Sequence, residues 1–196
     1  MRIEEKHAEI ASVLTHPVVI TALTFAILDI SILESSIKTF MIFITSITFS
    51  SVIPMLSIFL WGKLRGVDVD IPDRMERLSM LLTSTASYFA GFFVLYYLGS
   101  PSLISSLMLC YTINTLVAVI ISMYWKISLH VMTAASAFVA ITIALGPIGL
   151  VAFLMIPVVA WCRLRIKRHT LGQTVAGALL GIVLTIIELF IFVQIL

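Results

Sequence analysis

The chain has 196 residues, 61% of them hydrophobic and 11% charged, with a formal net charge of +2; its mean hydropathy is +1.16. Soluble domains average about 45–50% apolar and about 25% charged residues, and a water-soluble globule of this size has too little interior to hide the excess. These figures exclude a soluble enzyme, a disordered chain and a secreted disulfide scaffold. They leave an integral membrane protein built mostly of spans, and the small net charge gives a nucleic acid no electrostatic footprint.

A bilayer core of about 30 Å takes about 20 apolar residues as helix, and helix satisfies every backbone polar group within one segment. The start of the chain carries charges of both signs, Arg2, Glu4, Glu5, Lys6 and Glu9. It does not read as a signal peptide, because the first apolar run is too long and no small-residue cleavage site follows it. That run covers 17–33, and the second covers 39–60. A polar stretch, 61–77, leads to the third run, 78–98, which ends on the turn signal Gly99-Ser100-Pro101. The fourth run is 103–124, and a polar mark follows at 126–130. Runs 131–145 and 148–161 are short, about 22 Å each at 1.5 Å per residue. Gly146-Pro147 between them stops one helix and starts the next. The polar stretch 162–170 precedes the last run, 171–196. The expected fold is an all-α, polytopic transmembrane helical bundle of six to seven spans, forming a single transmembrane domain over 1–196. The fifth and sixth runs either cross separately or form a re-entrant pair.

Either way, the polar stretches 61–77, 124–130 and 162–170 are each separated by two apolar runs, so all three and the N-terminus are expected on one face. Eleven of the twelve Lys and Arg residues fall there, and Lys38 lies opposite. The positive-inside rule makes that face cytoplasmic in a multi-pass cell-membrane protein.

The chemistry gathers on the same face. The third polar stretch holds Arg163, Arg165, Lys167, Arg168 and His169, then Gln173 at the head of the last run; the second holds Lys126, Ser128 and His130. Two imidazoles among cations suit phosphoryl transfer. Cations neutralise the phosphoryl oxygens, one imidazole attacks phosphorus and the other protonates the departing oxygen. The spacing here, Cys162-Arg163, five residues, His169, three residues, Gln173, followed by Ala176-Gly177-Ala178-Leu179-Leu180-Gly181, resembles the last motif of the type 2 phosphatidic acid phosphatase family. There the pattern is Ser-Arg, five residues, His, three residues, Asp. Ile127-Ser128-Leu129-His130 resembles that family's middle motif, Pro-Ser-Gly-His, at Ser and His. The resemblance implies His169 as the nucleophile that becomes phospho-histidine and His130 as the acid for the leaving group. It implies Arg163 and Ser128, the latter with its backbone N–H, as donors to phosphate oxygens. Gln173 stands where the family has the Asp that orients the nucleophile. The family's first motif, Lys, six residues, Arg-Pro, is degenerate here: Arg77 is nearest, with Asp70 at the Lys position and Leu78 for Pro, Arg74 puts Val67 at the Lys position, and Lys126 is a candidate to replace the missing charge.

The implied activity is hydrolysis of a lipid phosphate or a polyprenyl diphosphate, with no cofactor and no metal. The alternative is a non-catalytic member of the same fold that binds lipid phosphate. A magnesium-diphosphate site built on Asp68, Asp70, Asp73 and Glu76 ranks below these, because such a site needs a second acidic cluster. A transporter ranks third, with Asp29 and Glu188 as its intramembrane charges. His7 and His16 fit no motif and read as interfacial. Asn114 reads as interhelical glue, and the Gly177/Gly181 pair as a site of close helix packing. Cys110 and Cys162 are far apart, and neither has a metal-type spacing.

Overall fold

The computed structural model describes residues 3–34, 36–65 and 74–196, with the side chains of 3–5, 65 and 74–77 outside the description. Every element among them is helical. Nine α-helices follow in order: α1 (Ile3–Leu14), α2 (Pro17–Ile32), α3 (Ile37–Ile47), α4 (Ile53–Arg65), α5 (Arg74–Tyr97), α6 (Ser102–Tyr124), α7 (Leu129–Leu145), α8 (Met155–Arg165) and α9 (Leu171–Ile195). Five continuous stretches are long and apolar enough to cross a bilayer, or six with the bent α1–α2 pair. Large apolar side chains lie exposed around the bundle, among them Ile30, Phe59, Ile120, Leu154 and Phe190. Such a surface belongs against hydrocarbon.

The second apolar run is one helix with a defect, and the sequence explains the defect. Five residues of π-helix, Thr48–Val52, join α3 to α4. Pro54 has no N–H, so one carbonyl a turn before it loses its intrahelical donor. Two carbonyls of that turn meet hydroxyls on neighbouring helices. Ser87 of α5 donates to the Phe49 carbonyl at 2.7 Å, and Thr21 of α2 donates to the Ser50 carbonyl at 3.0 Å. The proline thereby ties three helices together where no water is at hand.

Runs five and six form an antiparallel hairpin. Gly146 takes φ +66°, a left-handed conformation that glycine enters without steric cost, and α8 packs back against α7. The expected break at Gly146-Pro147 is present, but the first nine residues of the returning leg, Gly146–Leu154, are 3-10 helix rather than α. At about 2.0 Å per residue for 3-10 helix and about 1.5 Å for α-helix, the returning leg is long enough to match α7.

α7 and α9 approach each other closely. A Cβ on Gly177 would fall 2.6 Å from the Ser128 carbonyl oxygen, and one on Gly181 would overlap the Met132 carbonyl oxygen. Asn114 donates to Thr185 at 3.0 Å and to Ser136 at 3.4 Å, so α6, α7 and α9 share one polar contact in the apolar interior. Asp29 and Glu188 are 2% and 7% exposed; both face the bundle interior, as expected of intramembrane carboxylates.

One difference lies at the start of the chain. The charged N-terminal segment is a helix, α1, set at 46° to α2 and packed on α8.

Candidate functional site

Three chain junctions meet at one end of the bundle. His16 lies between α1 and α2, Lys126 and Ser128 lie between α6 and α7, and the segment from Arg163 to His169 links α8 to α9. Each junction is shaped by local chemistry. His16 caps α2, its Nδ1 accepting from the Val18 N–H at 3.3 Å. Thr170 caps α9 in a capping box: its hydroxyl accepts from the Gln173 N–H at 3.4 Å, and Gln173 Oε1 accepts from the Thr170 N–H at 3.1 Å. α8 ends in a Schellman turn. There the Lys167 N–H donates to the Leu164 carbonyl at 3.0 Å and the Arg168 N–H to the Arg163 carbonyl at 3.1 Å. The residue such a turn places in the left-handed region is usually glycine; here it is Lys167, at φ +56°.

The junctions enclose a cavity of about 290 Å³, near the lower end of the range for small-molecule sites. Its polar lining is basic: Lys126, Arg163, Lys167 and Arg168, with the imidazoles of His16, His130 and His169. No carboxylate is among the described residues that line it. The opposite wall is largely apolar, made by Ile58 of α4 and by Met80, Leu81 and Tyr88 of α5. Met80 to Tyr88 is about 12 Å of helix, so the cavity runs from the basic junctions into the bundle. An anion with a hydrocarbon tail matches both ends of this lining.

The geometry at His169 fixes its chemistry. The ring is 8% exposed, and its Nδ1 lies 3.2 Å from Gln173 Oε1. The Thr170 N–H that faces the same Gln173 atom can only donate, so that atom is the amide oxygen rather than the nitrogen. An oxygen facing Nδ1 accepts a ring proton there, which in the neutral ring leaves Nε2 unprotonated. Gln173 thus orients the ring from behind, outside the cavity lining.

Arg163 is 5% exposed, and its Nη1 donates to Ser12 Oγ of α1 at 2.7 Å. His130 stands on the first turn of α7, its ring edge-on to His16 with centroids 5.3 Å apart and planes at 85°.

No family model, curated protein or solved structure matches the chain.

Of the residues singled out from the sequence, His130, His169, Arg163 and Lys126 line one cavity, and Gln173 contacts His169. Ser128 lies apart from them: it is fully buried and outside the lining, and its N–H donates to the Gln173 carbonyl at 3.3 Å. Its backbone ties the start of α7 to α9. The side chains of Arg74 and Arg77, and the acidic positions Asp68, Asp70 and Asp73, lie outside the described residues. Three basic lining residues, Lys167, Arg168 and His16, were given no role of their own from the sequence. Lys167 and Arg168 fill the gap between Arg163 and His169, and their signal was the basic run itself. The signal for His16 was its place before Pro17 at the head of an apolar run, where a side-chain acceptor caps a helix.

Proposed function

We propose that this chain is a membrane-embedded hydrolase of a lipid phosphate or polyprenyl diphosphate, a relative of the type 2 phosphatidic acid phosphatases acting through a phospho-histidine. The observation that carries the reading is the meeting of three imidazoles, His130 and His169 among them, and four cations around one cavity with an apolar wall. In this mechanism Arg163, Lys126, Lys167 and Arg168 hold the phosphoryl oxygens, and their charge is matched to the transition state. His169 Nε2 attacks phosphorus, the P–O bond to the lipid breaks, and His130 gives the departing oxygen a proton. Water then attacks the phospho-histidine, His130 takes its proton, and phosphate leaves with His169 restored. Gln173 holds the His169 ring in the attacking tautomer, as a carboxylate does in related dyads. The tail lies against Ile58, Leu81 and Tyr88.

In the same reading the chain crosses the membrane seven times, with both legs of the α7–α8 hairpin traversing, and its basic end faces the cytoplasm.

The test is phosphate release from phosphatidic acid and from a short polyprenyl diphosphate in detergent micelles. His169→Ala is expected to lower kcat by about 10³ or more, as loss of a nucleophile does. Equal release by wild type and variant overturns the assignment. A non-catalytic lipid-phosphate binder is the second reading, favoured by the neutral amide at Gln173 and by the withdrawal of Ser128 from the cavity. It predicts that the wild type binds phosphatidic acid and releases no phosphate.

A further inference from the structure

The N-terminal helix touches the cavity's chemistry twice. Ser12, on the last turn of α1, is 5% exposed and accepts from Arg163 Nη1 at 2.7 Å. Four residues on, His16 meets the His130 ring edge-on, at 5.3 Å between centroids. These contacts come from one short stretch, at the 46° bend between α1 and α2, and reach residues on two other helices, α8 and α7.

Each contact constrains its partner in a definite way. A guanidinium is a rigid planar fork with five N–H groups. Tying Nη1 to the Ser12 hydroxyl restrains the fork, and with it the direction in which Arg163 presents its charge to the cavity. The His16 ring is itself held, because its Nδ1 accepts from the Val18 N–H at 3.3 Å. That bond puts the ring proton on Nε2 and anchors the imidazole to the start of α2. A ring fixed in this way limits the rotation of the ring it abuts, and His130 is that ring.

We infer that the α1–α2 elbow is a working part of the site, with Ser12 positioning the Arg163 guanidinium and His16 positioning the His130 imidazole. Its catalytic consequences rest on the hydrolase reading above; the two positioning contacts do not. A site whose anion-holding and proton-donating groups lean on one elbow also gains a handle. Whatever moves α1 on α8 shifts both groups together.

The experiment separates positioning from folding and from the hydrolase reading. His16→Asn keeps the cap, since Asn is among the best N-cap residues, and removes the ring. It is expected to lower kcat for phosphatidic acid about tenfold with KM unchanged, as loss of an interaction made in the transition state does. Ser12→Ala is expected to raise KM, and to weaken binding of inorganic phosphate, by about tenfold, while Ser12→Thr, which keeps the hydroxyl, restores both. A readout independent of turnover is the NMR spectrum of histidine-labelled protein. His16→Asn should move the His130 ring signals and leave those of His7 in place. If the wild type releases no phosphate, yet the His130 signals move and Ser12→Ala weakens phosphate binding, the elbow stands and the hydrolase reading falls. If His16→Asn leaves kcat and the His130 signals as in wild type, His16 is a helix cap and nothing more. If Ser12→Ala leaves phosphate binding as in wild type, Arg163 does not depend on α1; either of these last results overturns the proposal.

Discussion

Lys167 holds a backbone conformation that costs a non-glycine residue about 1–2 kcal/mol, in a turn whose hydrogen bonds, Lys167 N–H to Leu164 and Arg168 N–H to Arg163, ask for glycine there. Strain of this kind is a pointer to function when the side chain has another task. Here the side chain lines the cavity. Lys167→Gly should therefore act with opposite signs on two measurements. Relief of strain raises the thermal midpoint in detergent, less a part lost to glycine's greater unfolded-state freedom. Loss of the cation raises KM for phosphatidic acid by about tenfold, worth about 1.4 kcal/mol. An unchanged KM would remove Lys167 from the phosphate contacts. The same turn explains what a sequence can and cannot disclose about single residues. The spacing from Arg163 to His169 is legible because a helix end and a helix start frame it. The direction of Lys167 and Arg168 is not, because it depends on a left-handed turn built on a residue that does not advertise one. The place of Ser128 is hidden for a related reason. A serine two positions before a histidine matches a motif, and the sequence does not show that its N–H donates to the Gln173 carbonyl where α7 and α9 meet.

At the scale of elements, the apolar runs located the long helices to within a few residues, since hydrocarbon leaves the backbone no other way to satisfy itself. The departures have local causes. The π-segment follows from Pro54, and composition alone does not distinguish the 3-10 leg Gly146–Leu154 from α-helix. α1 has charges of both signs and becomes legible as a helix once α8 is there to pack against. The glycine pair carried the most information. Gly177 and Gly181 let α9 approach α7 until backbone meets backbone, and these two helices carry His169's orienting Gln173 and His130. Gly177→Ala must push the pair apart beside the Ser128 carbonyl. It is expected to cost about 1–3 kcal/mol, as overpacking does, and to lower phosphate release by more than its effect on folding explains. Gly172→Ala is the control. A Cβ there meets nothing closer than Trp125 at 4.0 Å, and alanine in an exposed helix is favoured over glycine by about 0.5–1 kcal/mol. Equal stability and turnover in Gly177→Ala and Gly172→Ala would separate the α7–α9 contact from the geometry of the site.

At the scale of the whole molecule, charge divides the bundle end from end. Lys126, Arg163, Lys167 and Arg168 surround the cavity, and Lys63 closes α4 on the same side. Lys38 starts α3 at the other end, its Nζ close to the turn at Gly99 between α5 and α6. A bias of this kind sets topology during insertion, and it also serves an anion site, so orientation needs a measurement that does not use the site's own residues. Lys63 and Lys38 are both exposed and both lie outside the cavity lining, while the native thiols Cys110 and Cys162 are buried. In intact cells an impermeant thiol reagent should label Lys38→Cys and leave Lys63→Cys untouched until the cells are opened. The reverse pattern would turn the cavity outward, toward lipid phosphates of the outer leaflet, and would leave the cations around it explained by phosphate rather than by insertion.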